Sequence, residues 1–373
     1  MKPSLTNKLS YRIPTLDGLR GLAIILVLLY HYFPQWIVFN FGWSGVDLFF
    51  VLSGYLISSR LIPYVNDPGL LKKFYRNRIL RIVPLYFIFL IIFFITWFCF
   101  SSATTLSAFP FYSLHWSSFF VFLQNWIFIS DHTETKVHLQ HLWSIAVEEQ
   151  IYIIFPLLVL FLKSKQKILI ACLLLFCFAV TSRCLFSFYL PATGGYDKAY
   201  WNTFFRTDPF LLGAVLYLLF HMRFSPVLIS RYLNTTGIVC ALILLCRVII
   251  TSDAEKNNLF MSSIGFTLVA ILYAAVTWSQ LQAGKNFMKR ITGLPWLQFA
   301  GKISFGLYII HWPLYLSGFI FLNKMRSSFG LQVTDGQLQL INAFCCIPIS
   351  FYLAALSFRF VESRFLKMKA KFS

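Results

Sequence analysis

The sequence carries little charge, and above all little negative charge. Only 12% of its 373 residues are charged, and 13 aspartates and glutamates face 32 lysines and arginines. A soluble globular domain has about 25% charged residues. Hydrophobic residues make up 58% of the chain, and phenylalanine alone occurs 43 times. One water-soluble core cannot hide so much apolar surface, so a soluble globular protein is excluded.

Several other signals are missing from the sequence. The eight cysteines lie mostly inside apolar runs without zinc or disulfide spacing, which indicates small packing residues. No internal repeat, low-complexity linker or soluble domain is visible. The first apolar run lacks a small-residue cleavage site behind it, so we expect a retained helix and not a signal peptide. Residues 1–373 are therefore predicted to form a single integral-membrane domain.

Long apolar runs that do not alternate in polarity predict membrane-spanning helices. We expect an all-α polytopic membrane protein with about ten transmembrane helices. Their predicted bounds are 14–34, 42–62, 83–101, 142–162, 167–190, 206–221, 233–251, 260–279, 299–321 and 338–359. The segment at 117–129 is too short to span comfortably and would invert every later loop. We predict that it is re-entrant or lies at the outer interface.

The basic residues lie mostly on one side of these predicted spans. That side holds the N-terminal segment, the loops near 60–81, 163–167, 223–231 and 285–290, and the tail from 359. The other side holds only Lys136, Lys198, Lys256, Lys324 and Arg326. The positive-inside rule then predicts that both termini are cytoplasmic. The net charge of +19 is mainly a topology signal, and nucleic-acid binding is not expected.

The first predicted helix, "LDGLRGLAIILVLLYH", holds two polar side chains at a fixed spacing. Arg20 and His31 are eleven residues apart, which closes almost three helical turns and places them on one face about 16 Å apart. Ionisable groups at membrane depth are costly and mark functional sites. Two plainer roles stay open: Arg20 could snorkel to the inner headgroups, and His31 could anchor at the outer interface.

A second polar face lies at the outer end of the fourth predicted helix, "HLWSIAVEEQIYIIFP" (141–156). His141, Ser144 and Glu148 fall on one side of this helix, with Glu148 about two turns below the outer surface. Glu148 and Glu149 are adjacent and deep, which packing alone does not explain. One of them could still pair with an arginine in a structural role.

A third polar face is predicted in "GKISFGLYIIHWP" (301–313). Ser304, Tyr308 and His311 follow helical spacing, and Pro313 would kink the helix or free a carbonyl near His311. A purely packing role for this histidine is equally open.

Two further stretches place charges near predicted helix ends. Asp47 lies just inside the outer end of the second span, where Ser53 and the next glycine would let helices approach closely. Ser53 has no base beside it in sequence, so we do not expect a nucleophile. Asp208 before Pro209 predicts a helix N-cap, which leaves Arg206 available for another role.

The densest basic run is "LLKKFYRNRILRIVPLY" (70–86), on the predicted cytoplasmic side. Arg78 and Arg81 share a helical face, and Arg76 lies nearby. Arginine forks suit phosphates, so the run could capture a phosphate-rich cytoplasmic ligand. It could also serve only as a topology signal that binds anionic lipid.

Taken together, these motifs resemble the membrane-bound acyltransferase-3 family over nearly the whole chain. The family shows Arg-x10-His in its first helix, a second helix like "GVDLFFVLSGYLI", and an Arg-x-x-Arg-Ile-x-Pro pattern, here at 78–84. "LWSIAVEEQIY" resembles its Trp-Ser-Leu-x-Val-Glu-x-Gln-Phe-Tyr motif. "SFGLYIIHWP" resembles Ser-Tyr-x-x-Tyr-Leu-x-His-x-Pro, with Phe305 in place of a tyrosine. The closing "VESRF" has Glu362 without the proline that often follows it in the family.

The resemblance implies an O-acyltransferase of the bacterial plasma membrane, without the extra esterase-like domain of some members. It would move an acyl group, most often acetyl, from cytoplasmic acyl-CoA to a hydroxyl of an envelope glycan such as O-antigen, lipopolysaccharide or exopolysaccharide. No metal is expected. Three sets of residues are implied. The catalytic set is His31, Arg20 and Glu148. The coenzyme A set is Arg76, Arg78 and Arg81. The substrate-binding set is Asp47, Trp143, Arg206, Tyr308 and His311.

The residues leave several alternatives open. His31 could act as a general base on the sugar hydroxyl or could take the acyl group itself. Glu148 could orient its imidazolium or bind a sugar hydroxyl. Buried His, Glu and Arg in a polytopic chain also suit a transporter or flippase of a glycan precursor, and a lipid-binding scaffold is a third reading. The acceptor, the acyl chain and the oligomeric state are not determined by the sequence.

Overall fold

The computed structural model describes residues 13–100, 109–130, 138–189, 195–222, 224–284 and 286–371. All regular structure in these ranges is helical. The helices are α1 (Pro14–Tyr32), α2 (Ile37–Asn40), α3 (Gly45–Leu61), α4 (Leu70–Phe100), α5 (Phe109–Phe120), α6 (Gln124–Ser130), α7 (Trp143–Leu162), α8 (Lys165–Tyr189), α9 (Gly195–Trp201), α10 (Asp208–His221), α11 (Pro226–Thr251), α12 (Phe266–Leu281), α13 (Phe287–Thr292), α14 (Pro295–Lys302), α15 (Ser304–Phe329), α16 (Asp335–Ser357) and α17 (Ser363–Lys371).

Nine stretches of helix in the described ranges are long and apolar enough to cross a membrane. This confirms the predicted all-α, polytopic fold class. The predicted span 206–221 is realised as α10, which has 14 residues and measures about 21 Å against a hydrocarbon core of about 30 Å. The cytoplasmic placement of both termini stays a prediction. Several of the basic residues behind it lie outside the described residues: Lys2, Lys8, Arg12, Lys136, Arg223 and Lys285.

The basic run at 70–86 is part of a helix and not a loop. α4 begins at Leu70 and runs for 31 residues, whereas the sequence predicted a span from residue 83. Hydropathy marks only the apolar part of a helix, and Leu, Lys and Arg are good helix formers that extend it. Just before α4, Asp67 accepts a hydrogen bond from Lys73 at 2.9 Å. Arg76, Arg78 and Arg81 all lie on this one continuous helix, so their positions relative to one another are fixed by the helix.

The segment at 117–129 is divided between two short helices, α5 and α6. The turn between them includes Phe122, whose φ of 55° is left-handed. Gln124 at the start of α6 has no exposed surface and donates to the carbonyl of Leu142 at 2.9 Å and to the hydroxyl of Tyr86 at 3.2 Å. These bonds dock α6 against α4 and the entry to α7. Its re-entrant or interfacial placement stays a prediction.

Helix α10 is held against α3 by direct contact of their backbones. A Cβ atom on Gly54 would lie 1.9 Å from the carbonyl oxygen of Phe210, and one on Gly213 would lie 2.0 Å from that of Val51. Only glycine fits at these two positions. The close helix approach predicted around Ser53 and Gly54 is confirmed, and it is typical of helix pairs in membranes.

Two buried ion pairs tie the helices together near the start of α10. Asp208 accepts from Arg183 of α8 at 3.0 Å, and Asp47 of α3 accepts from Arg206 at 2.5 Å. All four side chains lack exposed surface. The predicted capping role of Asp208 is wrong, because the N-cap is Thr207 and the Asp208 carboxylate turns to Arg183. The pairing depends on α8, which sequence spacing cannot reveal.

Candidate active site

A small polar cavity, here called the arginine cavity, lies between α1, α3, α4, α7 and α15. Its lining consists of Arg20, Ser53, Leu56, Arg60, Arg78, Arg81, Ile82, Ile145, Glu148, Glu149, Tyr152 and Phe305. Four arginines against two glutamates favour a negatively charged ligand. The cavity holds about 30 Å³, which is room for one or two water molecules. A larger ligand therefore requires side chains or helices to move apart.

Internal contacts hold the polar groups of the arginine cavity in place. Ser53 donates a hydrogen bond to Glu148, and the Tyr152 hydroxyl donates to Ser53 at 3.1 Å. The guanidinium carbon of Arg78 lies 4.4 Å from the centre of the Tyr152 ring. Stacking of this kind restricts the rotation of the Arg78 side chain while leaving its N–H groups available to a ligand. The cavity is thus a pre-ordered, cationic pocket.

The structure brings together four residues that the sequence assigned to the donor or to catalysis: Arg20, Arg78, Arg81 and Glu148. The other two of these six residues, Arg76 and His31, lie outside the lining of the cavity. Position 76 is two residues from Arg78, which turns it to another side of α4.

Sequence reasoning missed Arg60, which it counted as a topology charge. A signal was available, because Ser53, Leu56 and Arg60 recur at i, i+3 and i+7 on α3. All three line the arginine cavity. Arg60 therefore adds a fourth cation to the set that the sequence predicted.

A second group of residues, here called the histidine cluster, consists of His31, His141 and His311. The ring centres of His31 and His311 are 5.0 Å apart, and those of His141 and His311 are 5.3 Å apart. Nε2 of His311 lies 3.1 Å from Nδ1 of His31, which makes the two rings hydrogen-bonded partners. Trp312 packs against His31 with ring centres 4.6 Å apart.

Backbone and tyrosine contacts fix His141 beside this pair. Pro313 has no amide hydrogen, so it leaves the carbonyl of Ile309 free, and Nε2 of His141 donates to that carbonyl at 3.1 Å. Tyr308 donates its hydroxyl to the carbonyl of His141 at 2.7 Å and is bonded to Ser144 at 2.6 Å. These contacts confirm that His141 and Ser144 share a face and that Tyr308 and His311 share another. The carbonyl predicted to be free near His311 is confirmed as well.

Glu148 lies in the arginine cavity and not beside His31. The described contacts of His31 are to His311, Trp312, Tyr30 and the carbonyl of Val27. The suggestion that Glu148 orients the imidazolium therefore needs correction, because Glu148 accepts a hydrogen bond from Ser53 and Nδ1 of His31 is bonded to His311 instead. Glu148 lies seven residues beyond His141, which corresponds to about 10 Å along a helix.

Three residues predicted to bind substrate are packed away from open surface. Asp47 and Arg206 bind each other, and Arg206 also lies over the Phe266 ring at 4.5 Å. Trp143 is 4% exposed and packs against Tyr200 with ring centres 4.5 Å apart. These contacts give all three residues a structural role. Their contact with substrate stays a prediction, and Tyr308 and His311 are the members of that set that lie in or against the histidine cluster.

The loop between α11 and α12 covers the side of the histidine cluster next to Tyr30. Lys256 donates to the Tyr30 hydroxyl at 3.1 Å and lies over the rings of Tyr30 and Tyr200, 5.4 and 5.2 Å from their centres. Asn257 binds the carboxylate of Asp197, and burial raises the pKa of Asp197. Lys256 was counted only as a loop charge, and no sequence signal linked it to Tyr30.

The same three helices, with the turn before α7, contribute to both groups of residues. α1 carries Arg20 and His31, and α15 carries Phe305 and His311. α7 carries Glu148, and His141 lies in the turn that leads directly into α7. The two residues of each pair are six to eleven positions apart, which corresponds to about 9–16 Å. The two groups are therefore two ends of one three-helix unit. In the described part of the chain, no three His, Cys, Asp or Glu side chains are placed to hold a metal ion.

Comparison with known proteins decides the family. A family model described as an acyltransferase domain matches residues 13–359. The chain belongs to this family. It is the acyltransferase-3 family to which the motifs pointed, and the match covers both the arginine cavity and the histidine cluster.

The relatives that match are bacterial proteins. A Staphylococcus aureus (strain COL) protein with the provisional name O-acetyltransferase is 30% identical, over 97% of this chain and 58% of its own length. The peptidoglycan O-acetyltransferase OatA of Listeria monocytogenes is 29% identical over 94% of this chain and 55% of its own. The O-acetyltransferase OatA of S. aureus (strain NCTC 8325) is 28% identical over 94% and 57%.

The chain spans a little over half the length of these curated relatives. No solved structure matches it. Together with the nine long apolar helical stretches in the described ranges, the family places the chain among multi-pass bacterial membrane proteins.

Proposed function

We propose that this protein transfers an acetyl group from cytoplasmic acetyl-CoA to a hydroxyl of a cell-wall glycan, in the bacterial plasma membrane. The observation that carries the proposal is the three-helix unit. One end is a cationic pocket suited to phosphates, and the other end is His31, a partly exposed residue. The names of the relatives support O-acetyl transfer, and OatA of L. monocytogenes favours peptidoglycan as the acceptor to test first.

In this proposal the arginine cavity receives the phosphates of coenzyme A. Arg78 and Arg81 form charge-assisted bonds with them, and Arg20 lies where the pantetheine arm would pass along α1. The arm then leads the thioester towards His31, about 16 Å further along the helix. The small size of the cavity implies that donor binding opens the contacts of Ser53 and Glu148.

His31 would act on the acceptor hydroxyl at the other end. Its Nε2 takes the hydroxyl proton while the oxygen attacks the thioester carbonyl. The carbon–sulfur bond breaks, and the proton passes from His31 to the leaving thiolate. The products are the O-acetyl ester and free coenzyme A. An acetyl group carried covalently on the same nitrogen gives the same products in two steps.

The test is a transfer assay with the purified protein in proteoliposomes. Labelled acetyl-CoA is supplied with peptidoglycan glycan strands, and alkali-labile label on the glycan is measured. We expect transfer by the wild type and a loss of about 10² to 10⁴ in rate in His31→Ala. His221→Ala is the matched control, because His221 lies outside both the arginine cavity and the histidine cluster and its contacts among the described residues are local, a hydrogen bond to the carbonyl of Tyr217 and packing on the Tyr217 and Phe220 rings.

Near-normal turnover by folded His31→Ala would remove His31 from the mechanism. Absence of any transfer or acetyl-CoA hydrolysis by the wild type, with transport of a glycan precursor instead, would favour the transporter. Transfer to a different envelope glycan would keep the reaction and change the acceptor.

A further inference from the structure

The hydrogen bonds of His31 define which of its nitrogens carries the proton. Nδ1 lies 3.0 Å from the carbonyl oxygen of Val27 and 3.1 Å from Nε2 of His311. A carbonyl oxygen only accepts, so Nδ1 must be the donor. A neutral ring with its proton on Nδ1 has its lone pair on Nε2. Within the described part of the chain, Nε2 of His31 has no hydrogen-bond partner, and the residue is partly exposed.

The hydrogen bonds of His311 define its tautomer in the same way. Its Nδ1 lies 2.8 Å from the carbonyl oxygen of Tyr308 and 3.0 Å from that of Leu307, one turn back on α15. Both oxygens accept, so Nδ1 of His311 is a donor and its Nε2 has the lone pair. That lone pair faces the N–H of His31. If His311 were doubly protonated, its Nε2–H would point at the Nδ1–H of His31, and the hydrogen bond between the two rings would be lost.

The position of His311 is itself fixed. The residue has no exposed surface, and the Tyr32 hydroxyl donates to its carbonyl at 3.2 Å. The ring of His141 packs edge to face against it. In catalytic triads a third group holds the base in the correct tautomer. The described contacts of His31 include no carboxylate, and the place of this third group is taken by a neutral histidine.

We propose that His311 is a positioning residue that, together with the Val27 carbonyl, fixes His31 with its proton on Nδ1 and its basic Nε2 facing the acceptor. The inference rests on the proposed function, in which His31 is the base. When Nε2 of His31 takes the hydroxyl proton, the ring becomes a cation. Its Nδ1–H then keeps two acceptors, Nε2 of His311 and the carbonyl of Val27. The proton returns from the same Nε2 to the leaving thiolate, so His311 exchanges no proton.

Two substitutions separate this role from simple packing. His311→Gln can place its amide oxygen near the position of Nε2 and so keep an acceptor for His31. His311→Phe keeps a flat ring in the cluster but has no acceptor. We expect His311→Gln to retain kcat within about fivefold and His311→Phe to lose at least about tenfold, less than removal of the base itself. KM for acetyl-CoA should stay similar, because His311 lies outside the arginine cavity.

Equal activity of the two variants, whether both are normal or both are lost, would overturn the inference. The fold is checked by detergent melting and size exclusion. If His31→Ala keeps its turnover, the proposed function fails. If His31→Ala is inactive and His311→Phe is as active as the wild type, only the positioning role fails.

A measurement on the wild type does not depend on the folding of these variants. Nitrogen NMR of protein labelled with ¹⁵N-histidine distinguishes protonated from unprotonated ring nitrogens. The signals of His31 are those missing from His31→Ala. We expect a proton on Nδ1 and none on Nε2 in the neutral ring. The opposite tautomer for His31 would overturn the inference.

Discussion

His141 donates a hydrogen bond from Nε2 to the carbonyl oxygen of Ile309, at 3.1 Å. That carbonyl is available because Pro313, four residues later, has no amide hydrogen to offer it. A helix defect in α15 is thus satisfied by a side chain that precedes α7. The bond connects α15 to the turn that leads into α7, and so ties together two parts of the candidate active site.

This relationship predicts a coupling between His141 and Pro313. His141→Leu leaves a buried carbonyl without a donor, which costs about 1–3 kcal/mol. Pro313→Ala restores an amide that can take the Ile309 carbonyl. We therefore expect Pro313→Ala to be less harmful, or stabilising, in the His141→Leu background than in the wild type. Unfolding midpoints of the four proteins in mild detergent give the interaction energy, on the order of 0.5–3 kcal/mol.

Pro348 in α16 provides the matched control, since it is also a proline inside an apolar helix. Pro348→Ala should show no coupling to His141→Leu. Purely additive losses for His141→Leu and Pro313→Ala would contradict the assigned bond.

The buried pair of Asp47 and Arg206 gives a second prediction. Removing one partner leaves an uncompensated charge, so Asp47→Leu or Arg206→Met should each cost about 3–5 kcal/mol. Replacing both should recover most of that stability, because a well-packed apolar pair is often as stable as a buried ion pair. We expect the double variant to keep acetyl transfer, measured beside its unfolding midpoint.

The contrary outcome is equally informative for Asp47 and Arg206. A double variant that is as stable as the wild type but does not transfer acetyl groups would support the substrate contact that the sequence predicted. The interpretation of Asp47 and Arg206 as a purely structural ion pair would then be wrong.

The parts of the site that could be predicted are those that depend on one helix at a time. Helical periodicity is local, so it correctly placed Tyr308 with His311 and His141 with Ser144 on shared faces. Which helix lies opposite is a tertiary property. The spacing of residues within α7 therefore could not show that Glu148 lies beside Arg20 of α1. In the same way, the spacing within α1 could not show that His31 lies beside His311 of α15.

The fold shows the same division. Apolar runs identified the long spans, since hydropathy depends only on composition. They missed the first turns of α4, because a helix continues through basic residues that favour it. Asp208 was wrongly predicted to be an N-cap. The local Asp-Pro pattern indicates a cap, but the carboxylate of Asp208 binds Arg183, which is 25 residues earlier in the chain.

A third prediction concerns orientation. Single cysteines are placed at exposed positions in a background that lacks the eight native cysteines. Positions Asn257 and Gln332 should react with an impermeant maleimide in intact cells. Positions Lys73 and Lys165, near the starts of α4 and α8, should react only after permeabilisation, because the positive-inside rule places these helix ends in the cytoplasm. Labelling of Lys73→Cys from outside would reverse the orientation and the direction of transfer.

The last prediction separates donor binding from the chemical step. If Arg78 and Arg81 hold the phosphates of coenzyme A, changing both to glutamine should weaken binding of acetyl-CoA. Charge-assisted bonds contribute about 1.5–3 kcal/mol each, which corresponds to one to two decades of affinity per arginine. The loss should be far smaller for acetyl-pantetheine, which lacks the adenosine phosphates. Apparent KM values for both donors, measured in nanodiscs, provide the comparison.

Arg76→Gln is the matched control for the two donor arginines. Arg76 belongs to the same basic run but lies outside the lining of the arginine cavity, so its replacement should change neither KM by more than about twofold. Equal losses with the full and the truncated donor in the Arg78/Arg81 variant would contradict phosphate binding. The two arginines would then serve to hold Tyr152 and the cavity wall, because Arg78 stacks on that ring at 4.4 Å.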